Sequence, residues 1–362
     1  MRYVQNIKMM NETLAQLYAG TNVPAVETFP RHVTLTTTLR CNYRCRMCYQ
    51  TKFTGDMDWE IVKRVEAFMP FVKELQIFGG EPLAYKRFHE LLEFAGKHEC
   101  LVKSISNGSL LTDEMAESLV ANRVSEIKFS VDAGTPKTYQ YIRGGNFFQV
   151  LKGIARVTEI KLRENSPFPA MHINFLAMRS NIRELSKLAV IAAEIGVPQI
   201  NVFFPNLYKE ELLEECLYFH QEESDAHMLK ARQVGEQLGV FVKLPQLFSE
   251  HVPDREKDCG RFNCTDPWNV FYIDVQGVVR PCCGGAPPLG NILKQDFGEI
   301  WNNDAAQDLR RRVNTPDEPA YCKTCRVRKP SSHELSMHIP PKLQPKALAL
   351  HAGGTVKAPA AV

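Results

Sequence analysis

The chain has 362 residues, 44% hydrophobic and 23% charged, with a formal net charge of +3. That is long enough for two domains and ordinary for a soluble globular protein. Lys and Arg are interleaved with Asp and Glu rather than gathered into a stripe that would track a phosphate backbone, which argues against nucleic acid as a partner. Neither a cleavable N-terminal apolar run nor an apolar span of about 18 residues is present, so no membrane partner is expected and the eleven cysteines read as thiols of a reducing cytoplasm.

Residues 1–32 form a lead-in with one amphipathic helix over Asn11 to Tyr18, followed by a stretch punctuated by Pro24 and Pro30. It is too short for a domain of its own. From Val33 a rhythm begins: apolar or β-branched runs at 33–38, 73–78, 101–106, 125–131, 170–177 and 198–204 each precede a helix-like segment. Six such β/α units call for an α/β fold with a parallel sheet, either doubly wound or closing toward a barrel. No Gly-x-Gly-x-x-Gly turn follows the first strand; a loop with three cysteines does.

That loop reads Cys41-Asn-Tyr-Arg-Cys45-Arg-Met-Cys48. Its spacing lets three thiols converge on one centre, and three thiolates on a four-iron cube leave one iron open to a small molecule. A zinc site would need a fourth ligand, and no His lies nearby in the loop. The Cys-x3-Cys-x2-Cys pattern, with Tyr43 before the second cysteine, resembles the radical S-adenosylmethionine (SAM) superfamily. The resemblance implies a partial (β/α)6 TIM-type barrel over residues 33–245 and a [4Fe-4S] cluster that chelates SAM.

The second strand ends in Gly79-Gly80-Glu81-Pro82. Two glycines there would let the backbone approach a ligand, beside a carboxylate; the sequence resembles the motif with which the family binds the amino group of SAM. Ser106-Asn107-Gly108 ends the third strand as either a polar rim or a helix-leading turn, with Thr112 as the cap of the next helix. Ser130 and Asp132 end the fourth strand and resemble the family's ribose-contacting serine and its neighbour, while Arg143, before Gly144-Gly145, suits a carboxylate-binding role. His172 and Asn174 share one face of the fifth strand by alternation, and Asn181 reads as an N-cap. Gly79, Gly80, Glu81, Asn107, Ser130, Asp132, Arg143 and Asn174 are the candidate cofactor-binding residues. Phe203-Phe204 at the end of the sixth strand reads as core. Residues 207–238 read as a pair of charged helices over the barrel, with Cys216 inside one of them, and Cys216 and Cys100 read as buried free thiols.

A shift in composition near Pro245 opens a second, smaller domain over residues 246–330, where Cys259, Cys264, Cys282, Cys283, Cys322 and Cys325 collect around a hairpin-like 269–280 and a helix from about Phe297. So small a frame invites a metal staple, and zinc satisfies the count as well as iron. Gly277-x4-Cys282, Gly290-Asn291-Ile292, Glu299-Ile300-Trp301 and the final Cys-x2-Cys resemble the SPASM/twitch extension of radical SAM enzymes. That resemblance implies one auxiliary [4Fe-4S] cluster on Cys264, Cys282, Cys322 and Cys325. Cys259 and Cys283 are left as alternative ligands or redox thiols, Cys259 being the candidate catalytic hydrogen donor. Residues 331–362, rich in Pro, Ala, Lys and Gly, read as a disordered tail.

The expected activity is reductive cleavage of SAM to a 5'-deoxyadenosyl radical that takes hydrogen from a peptide or a small sugar-like molecule, with oxidation, bond formation or epimerisation as outcome. A one-electron donor such as flavodoxin or ferredoxin is the expected partner. The alternative is a non-catalytic iron-sulfur scaffold or redox sensor, which would have no use for the Gly79-Gly80-Glu81 rim.

Overall fold

The computed structural model describes residues 2–250, 263–328 and 333–352. Six parallel strands, β1 (His32–Thr38), β2 (Glu74–Gly79), β3 (Leu101–Ser106), β4 (Glu126–Ser130), β5 (Ala170–Leu176) and β6 (Gln199–Phe203), lie within a residue or so of the six expected runs. Four further strands, β7 (Phe241–Lys243), β8 (Val270–Ile273), β9 (Val278–Arg280) and β10 (Gly290–Asn291), complete one ten-stranded sheet in the order β10-β9-β8-β1-β2-β3-β4-β5-β6-β7.

Alternation along the strands makes the two faces of this sheet different. Val33, Leu35, Leu75, Ile77, Ile127, Phe129, Met171, Ile173 and Phe175 are buried against the outer helices. Each such side chain contributes about 1.5–3 kcal/mol by leaving water. The crossover helices supply the matching stripes. The helix Phe147–Arg163 buries Phe147, Val150, Ile154, Val157 and Ile160, three or four residues apart. Capping fixes where helices begin: Thr112 accepts from the amide of Met115, as the sequence suggests, and Asp58 accepts from that of Glu60.

The opposite face lines a polar lumen. Lys103 Nζ lies 2.5 Å from Glu74, Lys128 Nζ 3.0 Å from Glu126, and His172 Nδ1 3.3 Å from Glu126. Burial, partly offset by Glu126, pushes the His172 pKa down.

The C-terminal region shares the sheet of the barrel. β8 pairs in parallel with β1, from His32 opposite Val270 to Leu35 opposite Ile273, and β9 returns antiparallel through a turn at Gly277, whose φ is 78°. Trp268, Phe271 and Trp301 are fully buried in the same apolar cluster as the barrel core. The lead-in helix is longer than expected, Arg2–Gly20. The strap after it ties the two regions together, the indole N–H of Trp268 donating to the carbonyl of Val23 and that of Trp301 to Thr28.

Two further expectations fail for physical reasons. Residues 207–238 hold one α-helix, Gln221–Leu238, preceded by 3-10 turns at Glu210–Glu215 and Leu217–Phe219, with Cys216 buried between the turns rather than inside a helix. The stretch read as a disordered tail carries helices at Leu335–His338 and Gln344–Ala352. Leu335, Ile339, Leu343 and Ala347 recur every four residues and pack on Leu207, Leu212, Leu213 and Met47. Pro340, Pro341 and Pro345 interrupt that spacing and mask it in the sequence. Among the described residues no helix is long and apolar enough to cross a membrane.

Candidate functional site

β1 ends in a bulge, the pairing with β2 slipping between Thr36 and Thr38, which re-aims the chain into the cysteine loop. The base of the loop is stapled. Arg40 Nε and Nη2 each lie 2.8 Å from the Asp56 carboxylate, Thr38 Oγ1 donates to it at 2.6 Å, and the amide of Leu39 donates to Gly55. Burial works to raise the Asp56 pKa, but the hydrogen bonds from Arg40 and Thr38 outweigh it and hold the carboxyl below its usual range. Above the staple, the amide of Arg46 donates to Ile142 and that of Cys48 to Cys45. Tyr43 is buried, and a Cβ placed on Gly145 would stand 2.1 Å from its ring. The Gly144-Gly145 pair is thus explained by the space Tyr43 needs, together with a left-handed helix end at Gly144.

Cys41, Cys45 and Cys48 line a cavity of about 210 Å3 with Gly79, Gly80, Glu81, Asn107, Ser130 and Arg143. Six of the eight candidate cofactor residues therefore meet the three thiols. The glycines line the cavity and also pack tightly behind it. A Cβ on Gly79 would lie 2.3 Å from the carbonyl oxygen of Thr38, and one on Gly80 2.5 Å from that of Arg40. They make room for the root of the cysteine loop, whose carbonyls accept from the amides of Gly80 and Glu81. The Glu81 carboxylate is buried and already engaged by Ser106 Oγ at 2.7 Å, the amide of Asn107 at 2.7 Å and that of Leu83 at 3.1 Å. Burial nonetheless pushes its pKa up. Asn107 donates to Asn42 of the cysteine loop at 3.0 Å, so β2, β3 and the loop are locked as one body.

Asp132 and Asn174 do not line the cavity. Asp132 is fully buried, pairs with Arg143 through Nε at 2.6 Å and through Nη2, and accepts from the amide of Leu176 at 2.7 Å. Arg143 is thereby committed to Asp132, with Nη1 3.7 Å from Cys45 Sγ, and is not free as a carboxylate fork. Asn174 accepts from Asn201 at 3.1 Å. Asn181 makes no cap; its side-chain amide donates to the carbonyls of Asp132 and Leu176, tying the ends of β4 and β5. Tyr49, Phe78, Ile105 and Leu176 also line the cavity and escaped the sequence reading, although strand alternation places the last three on the lumen face.

A second cavity, of about 150 Å3, is lined by Cys264, Cys282, Cys322 and Cys325 together with Cys283, Asp266 and Arg328. Asn314 clamps Cys264 by accepting from its amide at 2.8 Å and donating to its carbonyl at 3.0 Å. Gly284 leaves space beside two thiols, since a Cβ there would stand 3.4 Å from Cys325 Sγ and 3.6 Å from Cys282 Sγ. Burial pushes the Cys264 thiol up to about 12. Cys283 is exposed; Cys259 lies outside the described residues. Among the described residues no three His, Cys, Asp or Glu side chains are gathered tightly enough for a single metal ion.

The match to known proteins agrees. Residues 35–187 match the radical SAM superfamily and residues 264–326 the SPASM iron-sulfur cluster-binding domain. The chain belongs to the radical SAM superfamily and carries a C-terminal SPASM domain; SAM and iron-sulfur clusters are its cofactors. It is 26% identical to the AdoMet-dependent heme synthase of Methanosarcina barkeri over 84% of this chain and 91% of that protein. It is 24% identical to the mycofactocin maturase MftC of Mycobacterium ulcerans, over 80% and 78%. Streptococcus suis SuiB bound to the precursor peptide SuiA shares the fold with a TM-score of 0.61 at 17% identity, covering 83% of this chain and 71% of that one.

Proposed function

We propose that the protein is a radical SAM maturase that oxidises a peptide or a cofactor precursor held in the barrel lumen. The observation that carries this reading is the pairing of β8 with β1. It joins the strand that leads into the three-thiol loop to the hairpin flanked by Cys264 and Cys282, so that both thiol-lined cavities are built on one sheet. A scaffold or sensor has no need of two such cavities on one sheet, one of them rimmed by Gly79, Gly80 and Glu81. The relatives, one a heme synthase and another a maturase, support a peptide or cofactor precursor over a free sugar.

In this reading Cys41, Cys45 and Cys48 hold the cluster that binds SAM, and Cys264, Cys282, Cys322 and Cys325 hold an auxiliary one. When bound, these groups would supply reductive cleavage of SAM, hydrogen abstraction from the substrate and an acceptor for its electron. The chain's own residues aim and exclude. Phe78, Ile105 and Leu176 give the cavity an apolar wall for the adenine, while the backbone of Gly79 to Glu81 and the side chain of Ser130 offer polar contacts to the methionine and ribose ends. Asp132 acts as a positioning residue, holding Arg143 against Cys45.

The test is anaerobic reconstitution of the full chain. About eight irons per chain and 5'-deoxyadenosine formed on reduction are expected. Zinc in the second cavity, or no SAM cleavage by the fully loaded protein, would overturn the reading.

A further inference from the structure

The lumen has a second feature across the sheet from the cysteine loop. Paired registers place Ser130 opposite Asn174, Asn174 opposite Asn201, and Asn201 opposite Lys243. This is one transverse row of polar side chains across β4, β5, β6 and β7. It starts at Ser130 in the SAM-side cavity and ends at Lys243 in a separate cavity of about 320 Å3 lined also by Phe203, Phe204, Leu244 and Met337. The next row behaves alike: Leu176, which lines the first cavity, pairs with Phe203, which lines the other.

The chemistry of this cavity is asymmetric. Phe203 is 47% exposed, an aromatic face left open, whereas Phe204 is packed edge-on against His338 at 5.0 Å. Lys103 and Lys128 of the lumen are matched by Glu74 and Glu126. Among the described residues Lys243 has no such carboxylate within ion-pair distance. The row's amides are mutually satisfied, Gln199 donating to Asn201 at 2.7 Å and Asn201 to Asn174 at 3.1 Å. What remains is one ammonium beside an apolar wall, which matches a single carboxylate on an apolar body rather than a doubly charged phosphate.

We propose that the cavity at the ends of β6 and β7 is a substrate subsite, with Lys243 receiving a carboxylate and Phe203, Leu244 and Met337 the apolar group that bears it. The proposal rests on the maturase reading insofar as the polar row leads to the SAM cavity. Neighbouring strands stand about 4.8 Å apart. A substrate anchored at Lys243 and reacting beside Ser130 is therefore extended by roughly 10 Å or more, the scale of a short peptide or a substituted ring system rather than a free amino acid.

The test uses the reconstituted full chain saturated with SAM, so that the first cavity is filled, and titrates 2-naphthylacetate, its amide and 2-naphthyl phosphate by fluorescence. The acid is expected to bind about tenfold more tightly than the amide, a difference of about 1.4 kcal/mol. That preference should vanish in Lys243→Met and persist in Lys243→Arg, with SAM binding showing that each variant is folded. Equal binding of acid and amide to the wild type, an acid preference surviving in Lys243→Met, or a preference for the phosphate would each overturn the subsite. Acid preference without SAM cleavage would sink the maturase reading and leave the subsite standing; cleavage without acid preference would do the reverse.

Discussion

Cys41, Cys45 and Cys48 sit on a loop held from below by Arg40 and Asp56, from the side by Asn42 and Asn107, and from behind by Arg143 and Asp132. Cys264, Cys282, Cys322 and Cys325 sit on short elements, among them the four-residue helix Ala320–Lys323, with Asn314 as the main polar clamp. Among the described residues the first site is braced by side chains from β2, β3 and β4 and the loop itself, whereas the second is braced by Asn314 and the buried Arg328–Glu318 pair. The difference accords with the chemistry. An open iron must be presented to a second ligand in one geometry, whereas a cube ringed by four thiolates is shaped by its own bonds.

The sharpest way to break this contrast is the triple replacement of Cys41, Cys45 and Cys48 by Ala. It should abolish 5'-deoxyadenosine formation while about four irons remain; retained cleavage in an anaerobic assay would reverse the assignment. Asp132→Ala comes next, because it leaves the Arg143 guanidinium buried without its carboxylate. A loss of about 3–5 kcal/mol in denaturant unfolding is expected, with the SAM-side iron signal perturbed and the auxiliary one unchanged. Gly145→Ala pushes a methyl into the Tyr43 ring and should cost about 1–3 kcal/mol, read as a lowered Tm and faster amide exchange in residues 41–48.

The smallest effect concerns pH. The Asp56 carboxyl is held below its ordinary pKa in the folded protein, so its contribution is fully present above the unfolded value and is lost as pH falls through the folded one. Asp56→Asn should therefore be less stable than wild type at pH 7, by up to about 1 kcal/mol for so exposed a pair, and indistinguishable from it near pH 2. A gap that stays constant across that range would show that the staple is not electrostatic.

The strands were legible because alternation and turn residues are local, and Cys41, Cys45 and Cys48 because their spacing is. What escaped was long-range. Nothing near Gly79 announces that the Thr38 carbonyl occupies the space of its missing Cβ, and Asp132 and Arg143, eleven residues apart, look like two separate ligands until the chain folds them together. Asn181 stands where a cap belongs, yet its amide finds better partners in the two strand ends. The pairing of β8 with β1 has no sequence signal beyond two β-branched runs, so the sharing of one sheet by the two regions was not legible.

That pairing has a bearing on how the chain is made. β1 feeds the cysteine loop, yet one of its edges stays unpaired until residue 270 has been synthesised. Throughout that interval a nascent chain displays open backbone donors and acceptors next to its reactive thiols, an invitation to pair with a neighbour. Cutting the chain at the apparent domain boundary would make that transient edge permanent, so fragments ending near residue 245 should precipitate where the intact chain stays dispersed.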